Sequence, residues 1–406
     1  MQDSQGFTAL VGMDAHSASV SLCVTRWRKG EEPAVIKEIT TDLKGLEASY
    51  ARNVPKGSLT VLEASTNAFS IVERLSAAGF EAKVLASDTV AGMSRPDRIN
   101  DRIDARNLAV AFARGGTRTV RVPGREHARS RDVWFGYRNA VKDTVRHSNR
   151  LWGFCSMRGL DLPARSPSLK VEGIRKAIKG KAWEGDDAFH AEAMLSGYAH
   201  AREMRSLYER KIEETVAARA DMARLMQVLG IRCVTAFALS TFIEDVRDFK
   251  SAKKLVAYVG LNPCVCSSGT VERKRSVSRY GRRDLKALMV EAAQCALSKG
   301  GSAMHAWARR KAASGKPRNV VVCALARKML CHAWHILMGH PSPWTEPEAS
   351  FRRKLARLAG RVGKERLKSL GHKSAAAFAE SVIAGIRWQD AGDSPPAPAP
   401  QPATIT

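Results

Sequence analysis

The sequence predicts an α/β domain at the amino-terminal end, followed by a mainly helical region. Thr8 to Met13 is an apolar run of strand length, and Val20, Leu22 and Val24 then alternate with polar residues. An alternation with a period of two is typical of a strand with one buried face. Strand-length and helix-length segments alternate from there to residue 123, whereas the chain beyond residue 125 has mostly helical periodicity. Such a pattern indicates a mixed sheet with helices, then an all-helical part.

Each element of the predicted α/β domain is short and bounded by polar or breaking residues. The first two strand-like segments are predicted to form a hairpin. After it, strands are predicted at 34–41, 59–62, 82–86 and 119–122, with helices at 43–52, 69–78 and 101–113. Two of the strands end on an acid, Asp14 after the first run and Glu63 after the fourth. Two more acids, Asp101 and Asp104, lie at the start of the last of these helices.

The rest of the chain is predicted to contain two long helices and then a compact helical region. Helices at 125–158 and 188–226, joined by a loop or short helices, favour an antiparallel hairpin, either a stalk or dimer interface or a linker packed on its own domain. The predicted divisions are an α/β domain at 1–124, a helical coiled-coil stalk at 125–226, a compact helical domain at 227–345, a basic helical extension at 346–392 and a Pro-rich tail at 393–406 that is expected to be disordered.

Charge and composition restrict the class of partner. The 406 residues carry a formal net charge of +26, which attracts polyanions such as nucleic acid. No uninterrupted apolar run reaches the length of a membrane-spanning helix, and the first residues lack a signal-peptide profile. The eight cysteines are scattered, mostly in apolar segments, as free thiols are in a reducing cytosol. The composition therefore predicts a cytoplasmic, nucleic-acid-binding protein without a membrane partner.

Four acids are candidates for a metal site. Asp101 and Asp104 are one turn apart on a predicted helix, so both carboxylates lie on one face. Separately, Asp14 has a simple interpretation as a hairpin turn residue, and the aspartate pair has one as a favourable interaction with the helix dipole. Together with Glu63 they match what a two-metal site needs, where divalent ions clamp the attacking and leaving oxygens of a phosphodiester.

The same acids lie in motifs that resemble a known family. The motifs MDAH at Asp14, LEAST at Glu63 and NDRIDARNLA at Asp101 and Asp104 resemble the four-acid DEDD set of a RuvC-like, ribonuclease-H-type domain. Specifically, they are similar to transposases of the insertion-sequence family written IS-one-ten. Residues 229–293 resemble that family's transposase domain, in which a serine in a Ser-Gly turn follows an AYxGL.P segment. The matching residue is Ser268, with Ser267 as the neighbouring candidate.

The resemblance implies a DNA recombinase with two chemistries in one composite site. Asp14, Glu63, Asp101 and Asp104 would hold Mg²⁺ or Mn²⁺, and Ser268 would attack DNA and form a covalent phosphoserine link. The family completes each site with domains of different protomers, which implies a homodimer that assembles to a tetramer. It also uses a noncoding guide RNA, the bridge RNA, that pairs with donor and target double-stranded DNA; a bacterial cytoplasmic, nucleoid-associated location follows.

Several basic residues follow the Ser-Gly turn and are predicted to bind nucleic acid. They would neutralise charge on phosphate. A solvated charged face is the alternative, but the position of the run directly after the Ser-Gly turn favours phosphate binding. These residues are Arg273, Lys274, Arg275, Arg279, Arg282 and Arg283. A second candidate phosphate contact is the turn Leu229-Gly230-Ile231, which together with the apolar helix after it looks like half of a helix-hairpin-helix, although the usual Pro and second Gly are missing.

Three other functions are compatible with parts of the sequence. A metal-only RuvC-like nuclease or Holliday-junction resolvase would have Ser268 as a structural turn. A sugar-kinase or actin-like ATPase needs glycines after Asp14, where Ala15, His16 and Ser17 stand instead. A basic scaffold would lack catalysis, but all four acids are present.

Two further groups of residues have metal-ligand types, a cysteine pair without metal-site spacing and three histidines with near-ligand spacing. Cys264 and Cys266 have no second cysteine pair, so they are predicted to lie in a strand. His332, His335 and His340 lie on an apolar helix and are predicted to be core or interface residues.

Overall fold

The computed structural model describes residues 7–28, 30–90, 100–166, 169–268, 271–278, 280–298, 302–340, 348–384 and 386, with side chains outside the description at 89–90, 264–268 and 271–276. The chain divides into two compact units, residues 1–126 and 127–406. The predicted loop through Pro96 and the Pro-rich tail lie outside the described residues.

The first unit contains a six-stranded mixed sheet, as the sequence predicts. Its strands are β1 (Leu10–Ala15), β2 (Ser19–Arg26), β3 (Ala34–Asp42), β4 (Leu59–Glu63), β5 (Glu81–Leu85) and β6 (Thr119–Val120), in the order β3-β2-β1-β4-β5-β6. The first three strands are antiparallel, β1, β4 and β5 are parallel, and β6 is antiparallel to β5. The two central strands therefore end at the same edge of the sheet.

Helices cover both faces of this sheet. They are α1 (Leu46–Asn53), α2 (Ala68–Ala77), α3 (Ser87–Val90) and α4 (Asp101–Arg114). Leu46 of α1 and Ile71 of α2 share a buried cluster with Met13 on one face. Leu108 of α4 shares a second cluster with Leu10 and Leu59, whose side chains alternate to the other face. The unit thus has three layers, with α4 against the other face of β1 and β4.

The second unit is helical apart from one hairpin of strands. Its helices are α5 (Arg125–Met157), α6 (Val171–Lys179), α7 (Asp187–Ala218), α8 (Ala220–Arg224), α9 (Cys233–Ile243), α10 (Ala252–Val259), α11 (Arg283–Leu297), α12 (Ala303–Ala313), α13 (Arg318–Leu337), α14 (Glu348–Val362), α15 (Lys364–Ser369) and α16 (Ala375–Ile383). The strands are β7 (Pro263–Ser268) and β8 (Val271–Val277). The chain passes from the first unit to the second within α5, because this helix begins at Arg125 and the first unit ends at Glu126.

The long helices α5 and α7 form the antiparallel hairpin that the sequence predicts. The Thr144 hydroxyl donates to the Ala201 carbonyl at 3.2 Å, and Arg158 pairs with Asp187 at 2.6 Å near the end of the hairpin. Because the end of α5 contacts the beginning of α7, the two helices must run in opposite directions. At this end, α6 packs through Ile174 in a separate apolar cluster.

The prediction of one continuous helix from 188 to 226 is wrong. The helix α7 ends at Ala218, and Arg219 has extended backbone angles of φ −123° and ψ 105° before α8 begins. The break turns Met222 and Ala223 into the core, where both are buried. An Arg219 guanidinium bound to Asp221 at 2.8 Å accompanies the bend. Helical periodicity alone does not show it because both segments are good helix formers.

One large apolar core joins most of the second unit. It includes Trp134 of α5, Ile212 of α7 and Phe237 of α9, together with Phe351 and Leu355 of the basic segment. The residues that the sequence assigns to a separate extension from 346 to 392 therefore share a core with residues 227–345. Charged positions on α14 conceal this in the sequence, because its apolar residues form a narrow stripe.

The helix α13 is the one described helix long and apolar enough to cross a membrane, and half of its most apolar window is buried. Arg327 and Lys328 interrupt it, which explains why no uninterrupted apolar run is found in the sequence. Val321, Leu325 and Met329 are fully buried in the large core. These contacts are those of a core helix.

Candidate active site

The first two acids lie at the ends of adjacent parallel strands. Asp14 is the fifth residue of β1 and Glu63 the last of β4. In the parallel register Met13 is opposite Leu62, so the next pair along the strands is Asp14 and Glu63. Alternation along the strands gives both acids the same face as Leu10 and Leu59, which is the face that α4 covers. Their positions match the sequence prediction.

The second pair of acids opens α4, also as predicted. The Asn100 side chain caps the helix by accepting from the Arg102 amide at 3.0 Å, and Asp101 and Asp104 occupy the first turn. An acid near a helix N-terminus is stabilised by the helix dipole. The cap therefore fixes where the helix begins and with it the height of both acids above the sheet.

The close approach of α4 to β1 depends on Gly12. A Cβ atom at this position would be 1.8 Å from the Ala105 carbonyl oxygen, which is far inside van der Waals contact. Only glycine allows the helix backbone to lie directly against the strand here. Since Gly12 precedes Asp14 by two residues and Ala105 follows Asp104, this contact sets the separation between the acids of the strand and those of the helix.

Asp14 and Asp101 meet around an imidazole. The His16 Nε2 atom lies 3.2 Å from an oxygen of Asp14 and 3.3 Å from an oxygen of Asp101. Ligand atoms of these three side chains all lie within 4.8 Å of one another, a separation that a single metal ion can span. The Asp14 side chain is 22% exposed and that of Asp101 is 53% exposed, so the group is open to solvent on one side.

Electrostatics in this cluster favour a cation. Partial burial raises the pKa of Asp14 above its ordinary value, while His16 opposes the increase and the negative charges of Asp101 and Asp104 add to it. A carboxylate whose pKa is raised by burial and by neighbouring acids, as that of Asp14 is, is stabilised in its ionised form when a cation lies beside it. The oxygen donors of Asp14 and Asp101 suit a hard divalent ion, and the His16 nitrogen adds a donor that transition metals accept. The residues present thus fit a divalent metal.

The loops at the strand ends are joined by hydrogen bonds. The Asn67 side-chain amide donates to the His16 carbonyl at 2.7 Å, and the Ser65 hydroxyl donates to the Asn67 side chain at 2.9 Å. Asn67 follows the LEAST motif, so the loop after β4 holds the loop after β1. This contact positions the His16 backbone, and with it the ring between the two acids.

His16 is a member of the cluster that the sequence motifs alone do not single out. It stands two positions after Asp14 at the end of a strand, where residues i and i+2 lie on the same face, and that spacing was the available signal. The structure brings Asp14, His16 and Asp101 together with Asp104 close enough to influence Asp14. Glu63 lies on the neighbouring strand and is not a member of this cluster of three.

The predicted serine lies in the second unit, at the end of the β7–β8 hairpin. Ser268 is the last residue of β7 and pairs with Val271, and Ser267 pairs with Glu272. Cys266 pairs with Arg273, so Cys264 and Cys266 lie in a strand, as predicted. Gly269 lies outside the described residues.

The base of this hairpin is held by the backbone on both sides. The Ser278 amide donates to the Asn262 carbonyl at 2.9 Å, and the Arg282 amide donates to the Tyr258 carbonyl at 3.1 Å. Gly260 and Gly281 approach so closely that a Cβ on Gly281 would be 2.6 Å from the Gly260 nitrogen. These glycines belong to the AYVGLNP and SRYGRR segments on either side of the hairpin, so the two motifs meet at its base.

The predicted basic residues divide into three groups. Arg273, Lys274 and Arg275 lie on β8 with their side chains outside the description, and Arg279 lies outside the described residues. Arg283 is exposed at the start of α11. The remaining residue, Arg282, makes contacts within the protein.

Arg282 is held by an acid and a ring. Its guanidinium lies 2.9 Å from Asp284 and 3.7 Å from the centre of the Phe242 ring. Burial alone would raise the pKa of Asp284, but hydrogen bonds from Arg282 and from the Trp134 indole outweigh it and hold that pKa below its usual value. A planar guanidinium stacked in this way is fixed in orientation. Arg282 is therefore positioned beside the base of the serine hairpin.

The three histidines of α13 and the turn after it are not a metal cluster among the described residues. His332 is 1% exposed, so it is a core residue, which is one of the two environments predicted for these histidines. His335 and His340 both contact the Trp334 ring.

Comparison with known proteins gives a consistent picture. The model of the Transposase IS116/IS110/IS902 family matches residues 222–308, which include the serine hairpin. The chain is similar to the transposase for insertion sequence element IS1328 of Yersinia enterocolitica, at 23% identity over 284 residues, 68% of this chain and 82% of that protein. It is also similar to a probable family 20 transposase of Pseudomonas aeruginosa, at 30% identity over 131 residues, 32% of this chain and 39% of that protein.

A third relative extends the same pattern. The transposase for insertion sequence element IS1111A of Coxiella burnetii is 24% identical over 209 residues, which cover 49% of this chain and 55% of that protein. Taken together with the family match over the serine hairpin, these similarities support an insertion-sequence transposase of the IS110 family.

Proposed function

We propose that this transposase cuts and rejoins DNA with two groups of residues, a metal-binding acidic cluster and the nucleophile Ser268. The observation that carries the proposal is the convergence of Asp14 and Asp101 on one point, with Asp104 nearby. Partly exposed acids held together in a protein of net charge +26 are suited to a metal ion that meets a polyanionic substrate. The remaining steps depend on this cluster and on the serine hairpin.

The first unit would be a RuvC-like, ribonuclease-H-type domain. Three antiparallel strands followed by parallel β4 and β5, with acids at the ends of β1 and β4 and on a covering helix, support this assignment. In this arrangement Asp14, Glu63, Asp101 and Asp104 would hold Mg²⁺ or Mn²⁺. The bound ions would supply positive charge at the scissile phosphate and at the leaving oxygen.

Ser268 would supply the nucleophile. Its Oγ would form a bond to a DNA phosphorus as a P–O bond of the backbone breaks, giving a phosphoserine link and a free sugar hydroxyl. The serine proton passes to a base, and the released sugar oxygen takes up a proton. Rejoining is the reverse attack by a sugar hydroxyl on the phosphoserine. A serine hydroxyl is weakly nucleophilic at neutral pH, so it needs activation by a base or metal nearby.

Charge on the phosphate would be neutralised by cations next to the hairpin. Arg282, fixed by Asp284 and Phe242, and exposed Arg283 are the described members of this set. Residues Arg273, Lys274, Arg275 and Arg279 would complete it. Donors that are already oriented cost little reorganisation when charge develops on a phosphate.

The partners would be donor and target double-stranded DNA and a noncoding guide RNA, handled by a homodimer that assembles to a tetramer in the bacterial cytoplasm. The net charge of +26 supports more than one nucleic-acid ligand. The α5–α7 hairpin carries exposed apolar side chains, including Val145, which is 55% exposed, and Leu207, which is 50% exposed. Exposed apolar residues of this kind support contact with a second protomer.

A recombination assay with purified protein, Mg²⁺, RNA from the native host, and donor and target DNA tests the proposal. Asp14→Asn, Glu63→Gln, Asp104→Asn and Ser268→Ala are each expected to abolish recombination while retaining the wild-type melting temperature and DNA affinity. Ser267→Ala is the matched control and is expected to stay active. Full activity of Ser268→Ala would contradict the serine step, and cleavage to free ends would instead support the metal-only nuclease.

A further inference from the structure

A basic cavity lies in the second unit, within residues 213–361. It has a volume of about 700 Å³ and lies between the start of α9, the end of α7 and one side of α14. Five of its lining side chains are cationic, and one is acidic. The cations are Arg232, Arg353, Lys354, Arg357 and Arg361, and the acid is Glu213.

Two of the cations are occupied within the protein. Arg361 pairs with Glu213 at 2.5 Å, and the Glu213 side chain is 8% exposed. The Lys354 ammonium donates to the carbonyl oxygens of Met226, Val228 and Ile231 at 2.7, 3.1 and 3.1 Å. Glu213, the one acid among the described residues that line the cavity, is therefore already paired, and Lys354 acts as a cap on the turn before α9.

The other three cations have no comparable partner among the described residues. Arg232, Arg353 and Arg357 are exposed, and none has an ion pair with a residue that the structure describes. Arg353 and Arg357 are four residues apart on α14, so they lie on the same side of that helix. Three guanidinium groups at one opening repel each other and make the local potential positive, which attracts an anion to the opening.

The turn that Lys354 caps is the one that the sequence offers as a phosphate contact. Gly230 has a φ of +81°, and a Cβ there would be 2.3 Å from the Ala292 carbonyl oxygen, so the turn is tightly packed against α11. Leu229 and Arg232 of the turn line the cavity, and α9 begins directly after it. The Pro and second Gly of the usual hairpin are absent, but arginines from α14 surround the same turn.

We propose that this cavity binds the phosphodiester backbone of a nucleic acid, through Arg232, Arg353 and Arg357. A guanidinium presents a planar pair of donors that matches two phosphate oxygens, and arginine is favoured over lysine at such sites. The basic segment of α14 thus has a role in binding, with its apolar side in the core and its arginines at the cavity. This site is separate from the serine hairpin and does not require the chemistry proposed there.

The experiment is a salt titration of nucleic-acid affinity with the full-length protein. Fluorescence anisotropy is recorded without divalent metal for a short labelled DNA duplex and, separately, an RNA hairpin. Each phosphate contact contributes about 0.9 to the slope of log K against log salt for duplex DNA. The variant Arg353→Gln/Arg357→Gln is expected to lower that slope by about 2, which corresponds to an affinity loss of about 30-fold at 0.15 M salt.

A control of equal charge separates the cavity from net charge. Lys364→Gln/Lys368→Gln removes the same two charges from exposed positions on α15 that do not line the cavity. This variant is expected to keep most of the wild-type slope. A reduced slope for either DNA or RNA in the cavity variant supports the proposal and identifies which one binds. An equal reduction in the control, or wild-type slopes with both ligands in the cavity variant, would overturn it.

Stability provides a second readout that a merely structural role would move the other way. Because the three arginines repel one another, the cavity variant without nucleic acid is expected to melt at or above the wild-type temperature. A lower melting temperature would indicate that the arginines stabilise the fold, and would overturn the proposal. Failure of covalent chemistry at Ser268 would leave these slopes unchanged, so the two proposals fail independently.

Discussion

Gly260 and Gly281 are in contact backbone to backbone, although they are 21 positions apart along the chain. Both have positive φ values, +80° and +100°, and a Cβ on Gly281 would also be 2.8 Å from the Tyr258 carbonyl oxygen. The contact closes the base of the hairpin that carries Ser268. The placement of the serine relative to α10 and α11 therefore depends on the absence of two side chains.

Gly281→Ala is expected to lower the free energy of unfolding by about 1–3 kcal/mol, because the added methyl group meets backbone atoms and the residue must keep a positive φ. Urea denaturation measures this loss. The matched control is Gly153→Ala, within α5, where a Cβ would meet nothing within 4 Å. That change is expected to stabilise the protein by about 0.5–1 kcal/mol. Equal stabilities for the two variants would contradict the contact.

The acidic cluster has a corresponding dependence on Gly12. Gly12→Ala places a methyl group 1.8 Å from the Ala105 carbonyl oxygen, so α4 must move away from β1 and carry Asp101 and Asp104 with it. We expect a loss of about 1–3 kcal/mol in stability together with weaker Mn²⁺ binding, measured by calorimetry. Gly45→Ala, whose nearest contact is at 3.9 Å, is the control. Unchanged Mn²⁺ affinity in Gly12→Ala would show that the cluster does not need this helix position.

His16 is expected to influence which metal the cluster prefers. Its Nε2 lies between oxygens of Asp14 and Asp101, and an imidazole nitrogen is a better donor for Mn²⁺ than for Mg²⁺. His16→Ala should therefore weaken Mn²⁺ binding by about tenfold or more and weaken Mg²⁺ binding less. Competition calorimetry with the two ions measures the difference. Equal losses for both ions would mean that His16 acts only by placing the acids.

The buried side chain of His332 is expected to make the free energy of unfolding depend on pH. Burial lowers its pKa to about 3, with a smaller effect of His335, and neither ring nitrogen has a hydrogen-bond partner among the described residues. The ring is neutral in the folded protein, whereas the unfolded chain takes up a proton as the pH falls below 6.5. Its contribution to stability is complete above pH 6.5 and decreases toward pH 3, by up to about 1.4 kcal/mol per pH unit.

His332→Leu removes that loss and also removes two buried polar atoms without partners. Denaturant titrations at neutral pH and at pH near 5 are expected to show a more stable variant, with the larger gain at the lower pH. A constant difference between variant and wild type across this range would indicate that the imidazole is not held neutral in the core.

Much of the first unit follows from local sequence patterns. An apolar run of strand length locates β1, and an alternation with a period of two locates β2. Asp14 and Glu63 directly follow apolar runs in the sequence, which places them at the ends of the two central strands. The helix α4 begins at Asp101, as predicted, and the Asn100 cap explains why. These signals are local, because hydrophobic periodicity and capping involve only neighbouring residues.

The features that the sequence does not predict depend on long-range contacts. The place of His16 between two acids depends on a loop held by Asn67, 51 residues away. The break at Arg219 depends on where Met222 is buried, and the cavity arginines come from a segment whose apolar stripe enters a distant core. Such contacts override helix propensity and are not encoded in short windows.

Detection of a covalent protein–DNA link tests the serine mechanism most directly. End-labelled DNA spanning the element's junction is incubated with protein, RNA from the native host and Mg²⁺, then denatured and separated on a protein gel. A phosphoserine link at Ser268 predicts label on the protein in wild type and Ser267→Ala, and none in Ser268→Ala, Asp14→Asn or reactions with chelator. Cleaved DNA that never migrates with the protein, or label retained in Ser268→Ala, would contradict it.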